Sequence, residues 1–106
     1  MKPEKIRILA IGRNEEIIKV LERLINQEWY GIGVTKDDEA IEAFRQQRFD
    51  VVMFSNGLTG DEKSALQQQL SAIGPPPIFI QHMGGGSGLL QNEIYAALEA
   101  NDKKKL

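Results

Sequence analysis

Short apolar segments alternate along this chain with segments whose apolar residues recur at helical spacing, and this alternation constrains the fold more than any other feature. The short segments are residues 5–11 (KIRILAI), 30–34 (YGIGV), 50–54 (DVVMF) and 78–80 (IFI). Their apolar and β-branched content predicts strands, the second being more exposed than the first. Strands that are separated by helices connect through right-handed crossovers, so we predict a parallel sheet with helices on both faces.

Amphipathic helices are predicted between and after these strands. The first follows Asn14, a favourable N-cap, and continues to about Glu28, while the second ends near Gln47. The third is capped by Asp61 and stopped by Gly74. The predicted apolar faces consist, in chain order, of Ile17, Val20, Leu21, Leu24 and Ile25; of Ala40, Ile41 and Phe44; of Leu66, Leu70 and Ile73; and of Leu90, Ile94, Ala97 and Leu98.

The composition fits one small domain that spans residues 1–106. Hydrophobic residues make up 42% of the chain and charged residues 26%, as in ordinary globular proteins. The chain has no cysteine, which excludes disulfides and thiolate metal sites. Its net charge of −2 provides no broad attraction to nucleic acid or anionic lipid, so neither nucleic acid nor membrane is expected as a partner.

The remaining segments carry weaker signals. No segment approaches the ~20 apolar residues of a membrane span, and the polar residues 1–5 do not resemble a signal peptide, so we expect a cytoplasmic location. The basic run 103–105 is interpreted as a solvated tail. The glycine-rich residues 84–88 (GGGSG) precede the last helix, with Ser87 as its predicted N-cap, and are interpreted as a flexible connector.

Three segments resemble response-regulator receiver domains, a family with the flavodoxin-like fold, and they occur in the family's order. Residues 5–24 (KIRILAIGRNEEIIKVLERL) are similar to its first strand, acidic turn and first helix, and residues 35–44 (TKDDEAIEAF) to its second helix. Residues 49–60 (FDVVMFSNGLTG) resemble its third strand and the loop that follows. The resemblance fades after the fourth strand. It implies a three-layer α/β/α fold with strand order 2-1-3-4, from which the fifth strand is absent.

The residues that the family uses for phosphorylation are replaced in this sequence. Receivers hold Mg²⁺ with two acidic residues after the first strand, and an aspartate at the end of the third strand accepts the phosphoryl group. By resemblance, the acidic pair falls on Gly12 and Arg13, the acceptor on Ser55, and a hydroxyl residue after the fourth strand on Gln81 or His82. The resemblance therefore implies a degenerate pocket with no metal, no cofactor and no enzymatic activity.

Two other uses of the old pocket remain open on the sequence. Polar residues should meet beyond the carboxyl ends of the strands, where open α/β sheets bind ligands. One use is a site for a small anion or nucleotide, the other a small hydrolase that uses Ser55 and His82, which would also need an orienting carboxylate and an oxyanion hole. The simpler alternative is polar loop ends exposed to water. The residues expected to meet, together with the glycine-rich loop of the anion site, are Arg13, Asn14, Ser55, Asn56, Gln81, His82, Gly85, Gly86 and Ser87.

Loss of the fifth strand leaves the fourth strand at an edge of the predicted sheet. The backbone of Ile78, Phe79 and Ile80 then lacks a neighbour, and an apolar edge strand invites pairing with another chain. The alternative is that the prolines at 75–77 and the following loop shield this edge. The sequence thus favours a pseudo-receiver that acts in signalling through protein–protein interaction, with a protein partner or a homodimer formed through this edge.

Overall fold

The computed structural model of the chain describes residues 6–55, 57–74, 76–82 and 87–104. Strands and helices alternate through these residues, as the hydrophobic pattern predicts. In chain order the elements are β1 (Arg7–Ile11), α1 (Glu15–Asn26), β2 (Tyr30–Val34), α2 (Asp37–Gln46), β3 (Val51–Phe54), α3 (Gly60–Ile73), β4 (Ile78–Gln81) and α4 (Ser87–Lys104). Among the described helices, none is long and apolar enough to cross a membrane.

The described strands form one parallel sheet of four strands in the order β2-β1-β3-β4, which confirms the predicted strand order. The register aligns Ile11 of β1 with Val34 of β2 and with Phe54 of β3, and Phe54 with Gln81 of β4. All four strands therefore end at the same edge of the sheet, and the residues that follow β1, β3 and β4 are brought side by side.

The core lies on both faces of the sheet because alternate residues of each strand point to opposite sides. Helices α1 and α4 cover one face and helices α2 and α3 the other. The first cluster consists of Ile8, Ala10, Ile18, Leu21, Ile25, Trp29, Val51, Met53, Leu90 and Ile94. The second consists of Leu9, Ile11, Ala40, Phe44, Phe49, Val52, Phe54, Leu66 and Leu70. This is the three-layer arrangement that the resemblance implied.

The N-cap of helix α3 is Thr59, two residues before the predicted cap, Asp61. Thr59 is the N-cap, because its Oγ1 accepts a hydrogen bond from the Glu62 backbone N–H at 3.1 Å. In return, Glu62 Oε1 accepts from the Thr59 N–H at 2.9 Å, which completes a capping box and satisfies two backbone donors. The prediction for Asp61 was wrong, and this residue lies in the first turn of the helix. The prediction for Asn14 is confirmed, since its Oδ1 accepts from the Ile17 N–H.

The helix faces differ from prediction at two exposed residues. Val20 is 44% exposed and Ile73 is 36% exposed, whereas both were predicted to be buried. Ile18, which was not predicted, is only 4% exposed. At 100° per residue, the α1 face is centred on Ile18, Leu21 and Ile25, and Val20 lies on the opposite side.

Several element ends also shift by one or two residues. β1 begins at Arg7, α1 ends at Asn26 and α2 ends at Gln46. β4 extends to Gln81, and Ser87 is the first residue of α4 rather than the residue that precedes it. Such shifts are usual, because the ends of helices and strands fray and share their hydrogen bonds with turns.

Candidate functional site

The residues that directly follow β1, β3 and β4 lie side by side at the carboxyl edge of the sheet. The Ser55 N–H donates to the Ile11 carbonyl at 2.7 Å, and the His82 N–H donates to the Phe54 carbonyl at 2.8 Å. Phe54 of β3 is paired with Gln81 of β4 in the sheet, so the residues that follow them, Ser55 and His82, lie opposite each other. The register therefore places His82, rather than Gln81, level with Ser55 and on the same face of the sheet.

A side chain at Gly12, where the resemblance predicts the first of the family's acidic residues, would have little space. A Cβ atom added at Gly12 would lie 2.9 Å from the Cβ of Ser55 and 3.0 Å from Cδ1 of Ile18. Ser55 itself is 3% exposed. A carboxylate at position 12 would thus require Ser55 or Ile18 to move, and the space near Ser55 is occupied by core packing.

Arg13 joins three neighbouring segments of the chain. Its Nη1 donates to the Thr35 carbonyl at 2.9 Å, and its Nη2 contacts Asp37 Oδ1 at 2.7 Å and Glu62 Oε2 at 2.9 Å. The hydrogen bonds to Asp37 and then to Glu62 raise the pKa of Arg13 above its ordinary value. The guanidinium thereby connects the β1–α1 turn to the first turns of α2 and α3, and two carboxylates offset its charge.

The loop after β3 depends on glycine where it passes Arg13. Gly57 has a φ of 96°, in the left-handed region that L side chains rarely adopt. A Cβ at this position would lie 2.7 Å from the Cβ of Arg13. Close approach and backbone conformation thus both favour glycine at position 57, and the loop holds the stem of Arg13 in place.

Glu62 has two structural roles, one for each carboxylate oxygen. Oε1 accepts from the Thr59 N–H in the capping box, and Oε2 accepts from Arg13. The hydrogen bond from the Thr59 backbone, followed by that from Arg13, lowers the pKa of Glu62. Sequence reasoning missed both this role and that of Asp37, although a threonine followed three residues later by glutamate is a recognisable capping signal.

Gln81 lies on the opposite face of the sheet from His82 and contacts α3. Its Oε1 accepts from Lys63 Nζ at 2.5 Å, while its Nε2 donates to the carbonyls of Phe54 and His82 at 3.0 and 3.2 Å. These bonds satisfy both ends of the amide. Gln81 thus fastens the end of β4 to β3 and α3.

His82 is buried, with 5% exposure, and pairs with a carboxylate of α4. Its Nδ1 lies 2.5 Å from Glu93 Oε1, so the pair joins the end of β4 to the helix that covers it. Glu93 was not predicted, although it directly precedes Ile94 on the buried side of α4. It supplies the carboxylate that a Ser55–His82 hydrolase would need. Among the hydrogen bonds of the described residues, however, none joins Ser55 to His82.

The residues predicted to meet at one site are therefore divided between several contacts. Arg13 belongs to a cluster with α2 and α3, His82 to a pair with α4, and Asn14 caps α1. Three further predicted residues, Asn56, Gly85 and Gly86, lie outside the described residues, and Ser87 begins α4. In the described part of the chain, no group of three or more His, Cys, Asp or Glu side chains is arranged to hold a metal ion.

Solved structures share this architecture, although no protein-family model and no curated protein sequence matches the chain. A signal receiver domain of an HD domain-containing protein from Pseudomonas fluorescens Pf-5 superposes with a TM-score of 0.76 and 14% identity, over 99% of this chain and 95% of that chain. A CheY-like response regulator receiver domain from Methylobacillus flagellatus superposes with a TM-score of 0.64 and 16% identity, over 79% and 78% of the two chains. The fold is receiver-like.

A third solved structure with a similar fold is described as an enzyme. An adenylate cyclase from Rhodopirellula baltica superposes with a TM-score of 0.64 and 18% identity, over 96% of this chain and 72% of that chain. At these identities the likeness shows the receiver-like fold alone.

Proposed function

We propose that the chain is a receiver-like module that does not accept a phosphoryl group and that acts in cytoplasmic signalling or regulation through protein–protein interaction. The observation that carries the first part is Ser55, a buried serine packed against Gly12 at the end of β3. An acyl phosphate requires a carboxylate at this point, and a serine hydroxyl cannot form one. The receiver-like fold supports a role in signalling.

The charges around the strand ends also oppose the binding of Mg²⁺. This cation requires oxygen ligands, and it offsets the negative charge that repels an incoming phosphate. Arg13 instead places a guanidinium at the second position of the acidic pair, and it occupies oxygens of Asp37 and Glu62. A cation near these carboxylates would have to displace Arg13. Both requirements of the receiver reaction, the nucleophile and its metal, are thus opposed by described contacts.

The metal requirement is tested by titrating the protein with Mg²⁺ while following backbone amide signals by NMR. We expect the amides of Gly12, Arg13 and Ser55 to keep their positions at millimolar Mg²⁺. A matched titration with Ca²⁺ separates weak, general attraction to exposed carboxylates from a defined site. Saturable Mg²⁺ shifts centred on these three amides would contradict the proposal.

Binding of a small anion stays a prediction, and the described contacts do not favour it. Arg13 is the cation expected at that site, and its charge is already offset by Asp37 and Glu62. A thermal-shift screen of nucleotides tests the prediction, because a ligand that binds only the folded state raises the melting temperature. A concentration-dependent rise that is lost in Arg13→Met would support anion binding.

A further inference from the structure

The outer edge of β2 is closed by side chains of α1. The Tyr30 N–H bonds to the Ile6 carbonyl, so Tyr30 faces β1 and the main-chain groups of Gly31 and Gly33 face outward. Asn26 accepts from the Gly31 N–H at 3.1 Å and donates to the Gly31 carbonyl at 2.9 Å. Glu22 Oε2 accepts from the Gly33 N–H at 2.8 Å. Another strand could pair here only by displacing these side chains.

The two outward glycines of β2 allow α1 to come close enough for this protection. A Cβ at Gly31 would collide with Ile25, and a Cβ at Gly33 would lie 2.5 Å from Cγ2 of Ile18. Larger residues would push the helix away from the strand. The glycines, Asn26 and Glu22 together form a device that protects one edge of the sheet.

The outer edge of β4 has no comparable protection among the described residues. The Ile78 N–H donates to the Asp50 carbonyl at 2.9 Å and the His82 N–H to the Phe54 carbonyl at 2.8 Å, so these residues face β3. The main-chain groups of Phe79 and Gln81 therefore point outward. Within the described part of the chain, no side chain hydrogen-bonds to them. The strand reads IFIQ and carries no charge that would repel another strand.

We infer that a second copy of this chain pairs with β4 in antiparallel orientation. This inference rests on the proposed function and specifies the interaction surface of the proposed signalling module. The outward groups of Phe79 and Gln81 are placed symmetrically about Ile80. A two-fold axis beside Ile80 pairs Phe79 of each copy with Gln81 of the other copy. The two residues of each pair then form two N–H···O hydrogen bonds, one in each direction.

This register also matches the two faces of the sheet. A two-fold axis perpendicular to the sheet keeps both α4 helices on one side and both α3 helices on the other. Ile80 of the two copies then forms the central pair that shares no hydrogen bond, where Cα atoms lie about 4.5 Å apart. A second copy therefore fits this edge in its hydrogen bonding and in the placement of its helices, and the uncharged strand does not repel it.

The backbone pairing is tested with Gln81→Pro in sedimentation velocity runs from micromolar to millimolar protein. Proline removes the outward N–H and fits an edge strand, so the internal sheet bonds remain. Gln81→Ala is the matched control, because it removes the same side chain but keeps the N–H. We expect the wild type and Gln81→Ala to dimerise, and Gln81→Pro to dimerise at least about tenfold more weakly, since two interchain hydrogen bonds are lost. Circular dichroism melts verify folding of each variant.

The register is tested by disulfide crosslinking, since the chain has no native cysteine and any disulfide of a single-cysteine variant joins two copies. Ile80→Cys places two thiols across the two-fold axis within the usual Cα range of a disulfide. Tyr30→Cys, on the protected β2 edge, is the control. We expect rapid oxidation of Ile80→Cys to a covalent dimer and slow oxidation of Tyr30→Cys.

Two results would overturn the inference. One is a wild-type monomer at all concentrations with no preferential crosslinking of Ile80→Cys. The other is a dimer that Gln81→Pro and Gln81→Ala affect equally. Neither result bears on phosphoryl acceptance, which is measured separately, so failure of the edge pairing and failure of the proposed function are distinguishable.

Discussion

At the scale of single residues, Arg13 shows how the end of the sheet is stabilised. Its guanidinium donates to one carbonyl and to two carboxylates that lie 24 and 49 residues away in sequence. Exposed ion pairs contribute little, but a shared network of charge-assisted hydrogen bonds contributes more. The residue therefore holds the β1–α1 turn and the first turns of α2 and α3 together at the carboxyl edge of the sheet.

Replacement of Arg13 by methionine is expected to lower the free energy of unfolding by about 1–2 kcal/mol, because three hydrogen bonds are lost. Urea denaturation measures the change. Lys19→Met is the matched control, since Lys19 pairs with Glu15 on the exposed side of α1, with side-chain exposures of 71% and 74%. Its effect should stay within about 0.5 kcal/mol. Equal effects of the two substitutions would show that the Arg13 network is not stabilising.

The lowered pKa of Glu62 predicts a pH dependence of stability. The folded protein holds the ionised form of Glu62 more strongly than the unfolded chain does, because Thr59 and Arg13 donate to it. This contribution is fully present above the unfolded pKa and is lost as the pH falls through the lower folded pKa. The difference in urea midpoint between wild type and Glu62→Gln should therefore shrink from neutral to acidic pH. A difference that is independent of pH would contradict the assignment.

At the scale of elements, the order of strands and helices could be predicted because each apolar segment shows a strand or helix period. Which side of a helix faces the core was harder to predict. Helix α1 contains two adjacent isoleucines, Ile17 and Ile18, and the structure buries Ile18 and leaves Val20 exposed. Contacts between distant elements left no local signal. Arg13 with Asp37, and His82 with Glu93, depend on which helix covers which face of the sheet.

The close contact of α1 with β2 is tested by Gly33→Ala. The added Cβ would meet Cγ2 of Ile18 and lie 3.2 Å from its carbonyl oxygen, so we expect a loss of about 1–3 kcal/mol in the free energy of unfolding. Gly60→Ala is the control, because no atom lies within 4 Å of its added Cβ and alanine favours a helix. Thermal or urea unfolding compares the two variants. A Gly33→Ala protein as stable as Gly60→Ala would contradict the close packing.

At the scale of the whole molecule, the protein has the sheet and layers of a receiver-like fold, and residues at the ends of its strands form ion pairs with the surrounding helices. Arg13 joins the β1–α1 turn to α2 and α3, and His82 joins β4 to α4. The sheet has one edge protected by α1 and one edge without such protection among the described residues. The interaction surface proposed for this protein lies at this second edge. The order of the four described strands could be predicted from the sequence, but the difference between the two edges required the structure.

The central claim, that the chain does not accept a phosphoryl group, is tested most directly by intact-mass spectrometry after incubation with acetyl phosphate and Mg²⁺. A receiver domain with its acidic residues intact serves as the positive control, and Ser55→Ala shows whether any added mass depends on position 55. We expect the mass of this protein to remain that of the unmodified chain while the control is phosphorylated. Stoichiometric, acid-labile and hydroxylamine-sensitive phosphorylation of the wild type would contradict the claim.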